Sequence, residues 1–125
     1  MATKKIKTAV VINVKDQTIT QEPGAWDFQD LYSTIECSLV ERVQLGQGAD
    51  LWLDEEGLYN QNKGFRITNR RTGQWQVFMG TGVILFSAGF RIPIVDLMAS
   101  LKRDISWVDR DVDVIPEPEI SFMSF

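Results

Sequence analysis

Apolar and polar residues follow two different periods in the first third of the chain. Residues 6–14 are rich in β-branched side chains, which is typical of a strand, and residues 17–20 predict a second short strand. Between residues 27 and 37 the apolar side chains recur at i, i+3, i+4 and i+7, the spacing of one helix face. Asp27 is a suitable N-cap for this segment. The pattern predicts a helix over about residues 27–37 that packs on one face.

Alternation with a period of two then predicts a β-hairpin over residues 39–54. A loop with two glycines, residues 46–48, joins its strands. The apolar positions assigned to the core are Leu39, Val43, Leu45, Ala49, Leu51 and Leu53. The opposite face of the second strand carries Asp50, Trp52 and Asp54.

The second half of the chain predicts more β structure and another helix. Residues 60–74 are polar and basic, so we interpret them as a long loop with room for one helical turn. Two β segments follow around a tight turn at 80–82, and the second is a continuous apolar run, as in a strand buried on both faces. Helical spacing returns over residues 93–103. Residues 104–125 form an acidic C-terminal extension, which is an edge strand, an arm that reaches a neighbouring subunit, or a loose tail.

Composition points to one domain over residues 1–125. A chain of 125 residues with 44% hydrophobic and 24% charged residues has the balance of a single compact domain. We expect an α+β fold with a mainly antiparallel, strongly twisted sheet of about five strands. One helix, 27–37, packs on a face, and a second helix lies near 93–103. No segment has the length of a signal peptide's apolar region or of a membrane span, so we expect a cytoplasmic protein.

Charge and residue types exclude several chemistries. The net charge of -4 repels polyanions, so nucleic acid is not an expected partner. Histidine is absent and there is one cysteine, which excludes Ser-His-Asp triads, Cys-His dyads, His-rich zinc sites and disulfides within the chain. We expect no cofactor, and we interpret Cys37 as a buried or bystander thiol.

Acidic residues cluster between positions 50 and 56. The stretch "DLWLDEEGLYNQ" does not have the ligand pattern of an EF-hand. Asp50 and Asp54, four apart on a strand, would be roughly 13 Å apart, too far to act as a pair. We therefore interpret the cluster as a solvated strand and turn and predict no metal site. Trp52, on the same face, is a candidate interface residue.

The densest basic segment contains the candidate ligand-binding residues Arg66, Arg70, Arg71 and Trp75. Guanidinium groups beside aromatic rings could hold a phosphate or stack a base. The alternative is a solvated loop whose arginines pair with acidic residues. Both interpretations stay open at this point.

Several of these elements together resemble a known family. The helix "LYSTIEC", the hairpin, the segment "DEEGL" and an apolar strand preceded by "GTG" are similar to the small bacterial and phage family called domain of unknown function 3846. The resemblance covers roughly residues 5–88. The loop 60–74 lacks the Pro-x-Asn arrangement common in that family. The resemblance implies an accessory protein of phages, plasmids or conjugative elements, and it implies no catalytic residues.

Taken together, these features predict a non-enzymatic accessory protein of a phage or mobile element in the host cytoplasm. It would bind a host protein or a small phosphorylated or nucleotide ligand, with counter-defence as one role. The alternative is a self-assembling protein that uses its C-terminal arm, with Trp52, Phe122 and Phe125 at the interface. A third interpretation is a metal-dependent enzyme that uses carboxylates.

Overall fold

The structure, a computed structural model, describes residues 8–115. Within that range the chain forms eight strands and three helices. The strands are β1 (Thr8–Asn13), β2 (Thr18–Pro23), β3 (Val40–Gly46), β4 (Ala49–Asp54), β5 (Lys63–Thr68), β6 (Trp75–Met79), β7 (Gly82–Phe86) and β8 (Ile105–Asp109). The helices are α1 (Phe28–Ile35), α2 (Gly57–Asn60) and α3 (Ile94–Asp104). The α+β class is confirmed, and α1 and α3 are the two predicted helices.

A five-stranded antiparallel sheet forms the centre of the molecule. Its strand order is β2-β1-β7-β4-β3. The predicted hairpin is β3 and β4, and the continuous apolar run is β7, the middle strand. Gly82, Val83 and Ile84 of β7 are all buried, because helix α1 covers one face of the sheet and the main core lies on the other.

A second, three-stranded sheet packs over the main core. Its order is β6-β5-β8, and all its pairings are antiparallel. Phe65 of β5 is fully buried and lies opposite Phe78 and Trp107 on the neighbouring strands. Leu97 and Leu101 of α3 belong to the same core. The main core therefore lies between the large sheet on one side and the small sheet with α3 on the other.

Helix α1 covers the opposite face of the large sheet. It begins with a capping box, in which the Asp27 carboxylate accepts from the Asp30 N–H at 2.9 Å and the Asp30 carboxylate accepts from the Asp27 N–H at 3.0 Å. It ends at Glu36, which has the left-handed φ of 63°. The buried residues of this smaller core are Ala9, Val11, Leu31, Ile35 and Val83.

The prediction of one long loop over residues 60–74 is wrong. This segment contains β5, the central strand of the small sheet, and the loop that remains is the β5–β6 turn at 69–74. Phe65 and Ile67 do alternate in the strand period, but polar and basic residues surround them. Those polar residues lie on the outer face or in the turn, so composition concealed the strand.

The glycine turn at 80–82 passes the chain from the small sheet to the middle of the large one. Gly80 has a φ of 102°, which favours glycine. Thr81 is buried, and its hydroxyl accepts a hydrogen bond from the backbone N–H of Val14 at 3.3 Å. A Cβ on Gly82 would lie 2.9 Å from Leu51. The segment is a structural connection between sheets.

The acidic C-terminal segment is integrated into the fold at its start. Ile105–Asp109 forms β8, which pairs with β5. Residues 116–125 lie outside the described residues, and so do the candidate interface residues Phe122 and Phe125.

Candidate functional site

A pocket of about 290 Å³ opens between β5, the β5–β6 turn and α3. Its apolar lining is aliphatic and comes from Leu45, Ile67, Ile92, Leu97 and Leu101. Its polar lining consists of Thr68, Asn69, Arg70, Arg71, Ser100 and Asp104. The pocket therefore combines an apolar floor with charged and hydroxyl groups, an arrangement typical of small-molecule sites.

Asn69 holds the turn that carries the two pocket arginines. Its side-chain oxygen accepts a hydrogen bond from the Arg71 N–H at 2.9 Å. Its backbone carbonyl accepts from the Gly73 N–H at 2.7 Å, and its own N–H donates to the Gln74 carbonyl at 2.7 Å. Gly73 has a φ of 79°, which suits a tight turn. These bonds fix the backbone at Arg70 and Arg71, so both side chains start from defined positions at the pocket.

The two pocket arginines have different partners. Arg70 Nε lies 3.8 Å from the Asp104 carboxylate. Asp104 also accepts from Arg103 Nε at 3.0 Å and from Arg103 Nη2 at 3.2 Å, and these bonds raise the pKa of Arg103. Arg71 forms no ion pair with any residue between 8 and 115. Of the two pocket arginines, Arg71 is therefore the one whose guanidinium can pair with an anionic ligand.

Arg66 and Trp75 form a separate pair on the outer face of the small sheet. The Arg66 Cζ lies 5.3 Å from the centre of the Trp75 ring, a cation–π contact. Trp75 lies opposite Thr68, a residue of the pocket lining. Arg66 Nε is buried and has no hydrogen-bond partner among the described residues. The four predicted ligand residues thus divide into two pocket residues and one neighbouring stacked pair.

The interpretation of the acidic cluster as solvated is wrong for Asp54. This carboxylate is 7% exposed and accepts hydrogen bonds from the Glu56 N–H and from Gln61 Nε2, both at 2.9 Å. Asp50 is partly exposed and lies 3.9 Å from Arg42. Within residues 8–115 no group of three or more Cys, Asp and Glu side chains has the arrangement of a metal site. Asp54 thus caps the turn that follows β4.

Two titratable groups lie near this buried aspartate. Partial burial, together with the nearby charges of Glu55 and Asp54, raises the pKa of Glu41. Burial also raises the pKa of the Cys37 thiol, and Asp54 adds to the shift. A raised pKa leaves less thiolate at neutral pH, so Cys37 is a poor nucleophile in this environment.

Trp52 is half-buried against helix α1. Its ring meets the Phe28 ring edge-on, with centroids 5.7 Å apart and planes at 82°. Phe28 is itself 56% exposed and stacks on Tyr32 at 6.2 Å. The face that carries Trp52 is therefore covered in part by α1. The assignment of Trp52 to an interface stays a prediction.

Sequence reasoning missed the α3 side of the pocket. Leu97 and Leu101 have helical spacing, and that spacing identified them as one apolar face. It does not show that the end of α3 lies beside the β5–β6 turn. No sequence pattern marks Ser100 and Asp104 as pocket residues, because only the tertiary fold brings them to the same pocket as Arg70.

Comparison with known proteins identifies the family. The family model described as domain of unknown function (DUF3846) matches residues 6–101. The chain belongs to this family. The comparison with curated proteins gives no match, and neither does the comparison with solved structures. In the part of this DUF3846 protein that the structure describes, no helix has both the length and the apolar character needed to cross a bilayer.

The "DEEGL" segment of this DUF3846 domain has a structural role. Asp54 caps the turn, and Gly57 begins the short helix α2. A Cβ on Gly57 would lie 2.3 Å from the Met79 carbonyl oxygen, so only glycine lets α2 contact β6 this closely. The pocket lies elsewhere, between the β5–β6 turn and α3, and Asp104 of its lining follows the end of the family match.

Proposed function

We propose that this DUF3846 protein is a non-enzymatic binding protein of a phage or mobile element, and that it holds a small anionic ligand, phosphorylated compounds included. The observation that carries this proposal is the pocket of about 290 Å³ with an aliphatic floor and Arg71 at its lining. An anionic group would contact a guanidinium that has no ion-pair partner between residues 8 and 115. Burial of the rest of the ligand against the floor would supply the nonpolar part of the affinity.

The size and lining of the pocket support a small molecule. Pockets for small ligands have volumes of about 300 Å³ and upward and combine apolar walls with a few placed polar groups. The value here, about 290 Å³, is close to the lower limit of that range. The turn is already closed by the hydrogen bonds of Asn69, so binding need not order the segment that carries Arg71.

Thermal-shift screening tests the proposal with one variant and one control. The screen uses phosphorylated metabolites, nucleotides, alkyl phosphates and carboxylates with the wild-type protein. Ligands that bind the folded state stabilise it by mass action, about 2.7 kcal/mol at a concentration of 100 times the Kd. We expect Arg71→Ala to abolish the stabilisation by any hit.

Arg42→Ala is the matched control for this experiment. Arg42 is an exposed arginine on edge strand β3, outside the pocket lining, and its contact with Asp50 is 3.9 Å long. The same chemical change there should leave ligand binding at the wild-type level. The proposal fails if no compound shifts the melting temperature, or if Arg71→Ala and Arg42→Ala respond alike to every hit.

A further inference from the structure

We propose that the ligand of this pocket is an aliphatic chain that ends in one anionic headgroup, a carboxylate or a monophosphate, and not a nucleotide. This inference rests on the proposed function, because it assigns a chemical class to the ligand of the same pocket. Three features of the lining carry it: the side chains of the floor, the placement of the charges, and the hydroxyl group of Ser100.

The floor suits a chain of methylene groups. All its apolar residues are aliphatic, and no Phe, Tyr or Trp lines the pocket within the described chain. A nucleotide base would find no ring to stack on. Its polar edge atoms would also need hydrogen-bond partners that Ile67, Leu97 and Leu101 cannot provide. An alkyl chain needs none, and each of its buried methylenes adds to the affinity.

The charges of the lining suit a single anionic group. Arg71 has no ion-pair partner among residues 8–115, whereas Arg70 lies beside Asp104 at 3.8 Å. The Asp104 side chain is only 17% exposed and accepts two hydrogen bonds from Arg103, so its position is fixed. One headgroup can pair with Arg71 and stay clear of that carboxylate. A di- or triphosphate would place further negative charge beside Asp104, where it is repelled.

A hydroxyl group completes the lining. Ser100 of α3 lines the pocket, and its hydroxyl has no hydrogen-bond partner among the described residues. A hydroxyl can donate one hydrogen bond to a carboxylate or phosphate oxygen. Arg71 with the Ser100 hydroxyl would thus satisfy a headgroup, while the chain lies on the aliphatic floor.

Isothermal titration calorimetry with a homologous series tests this assignment. The series consists of straight-chain carboxylates and alkyl monophosphates of increasing length, kept below their critical micelle concentrations, with AMP, ADP and ATP as the competing class. We expect affinity to rise about fourfold for each added methylene until the pocket is full. Arg71→Ala should weaken every member by at least about tenfold.

A second pair of variants separates the pocket from nonspecific adsorption. Ile92→Trp adds bulk at a half-buried lining position, whereas Val95→Trp adds the same ring at a site on α3 that is 70% exposed and outside the lining. We expect Ile92→Trp to abolish the rise in affinity with chain length for the longer ligands. Val95→Trp should leave that rise unchanged. Circular dichroism melts establish that both variants are folded before the titrations are interpreted.

Each outcome separates this inference from the function on which it rests. If a nucleotide binds more tightly than every alkyl anion and needs Arg71, the inference is overturned and the proposed function stands. If neither class binds while another compound of the thermal-shift screen binds and needs Arg71, the inference is overturned and the proposed function stands. If no compound of any class binds, both are overturned. If affinity rises with chain length equally in Ile92→Trp and wild type, the chains do not occupy this pocket and the inference fails.

Discussion

A Cβ atom on Gly57 would lie 2.3 Å from the carbonyl oxygen of Met79, a distance that no relaxed structure accepts. Gly57→Ala must therefore move α2 away from β6 or distort the strand. We expect it to lower the free energy of unfolding by about 1–3 kcal/mol, as overpacking does. Urea denaturation measures this. Gly89→Ala is the control, because the nearest atom to a Cβ there is 3.9 Å away, and equal stability losses in the two variants would contradict the packing argument.

Asp54 and Asp50 lie on the same strand and should contribute differently to the free energy of unfolding. Asp54→Ala leaves two partly buried donors, Glu56 N–H and Gln61 Nε2, without their acceptor. We expect a loss of about 1–3 kcal/mol in the free energy of unfolding. Asp50→Ala removes only a 3.9 Å contact with Arg42 and should cost at most about 1 kcal/mol. Chemical denaturation of both variants compares them directly. Similar costs would show that the Asp54 bonds do not stabilise the turn.

The raised pKa of Glu41 has a defined effect on stability against pH. In the folded state this pKa lies above the usual 4.5 because of partial burial and the charges of Glu55 and Asp54. The folded protein then binds more protons than the unfolded chain between 4.5 and the raised value, so stability falls as pH rises through that window. Glu41→Gln removes the charged form. We expect the variant to be more stable than wild type at pH 7 and equal to it below the window.

Thermal melts across pH 4 to 8 measure this difference (roughly the range in which a raised carboxyl titrates). Asp54→Asn supplies a second check, since removing that charge should bring the pKa of Glu41 closer to its ordinary value. A Glu41→Gln variant with constant relative stability over the whole range would contradict the assignment.

Glu36 closes helix α1 in a conformation that suits glycine. Its φ is 63°, and L-residues lose roughly 1 kcal/mol or more in this region. Glu36→Gly should therefore raise the melting temperature, although it removes the exposed ion pair with Lys15. Glu36→Ala removes the same ion pair and keeps the Cβ, so we expect it to be no more stable than wild type. Differential scanning calorimetry would contradict the strain argument if glycine and alanine gave the same result.

The sequence predicts an element well when the apolar positions in its pattern are the positions that the structure buries. Helix α1 has apolar side chains at helical spacing, and strand β7 belongs to a short apolar run that lies between glycines. Strand β5 was not predicted, because its outer face carries Arg66 and Thr68 and its flanks are rich in polar residues. The division into two sheets was also not predicted, since the glycine turn at 80–82 has the composition of an ordinary hairpin turn although it connects different sheets.

The candidate site was predicted only in part. A dense basic segment located Arg70 and Arg71, and the structure places both in the pocket lining. The same segment suggested Arg66 and Trp75 as co-ligands, but neither residue is part of the pocket lining. The partner wall comes from α3, about thirty residues further along the chain by the spacing of Arg71 and Leu101. No local pattern encodes such a contact, because it depends on how the helix packs over the sheet.

The two cores of the molecule differ in size, so the layer held by the smaller core should open more often than the rest of the molecule. Helix α1 has eight residues, too short to persist without its packing, and it contributes only Leu31 and Ile35 to the buried side chains. The main core holds both sheets and α3 together. Amide protons of α1 should therefore exchange with solvent through brief detachment of that layer alone, whereas those of β7 should exchange only when the whole domain opens. The ligand pocket lies on the face of the large sheet opposite to α1, so it would keep its shape while α1 is detached.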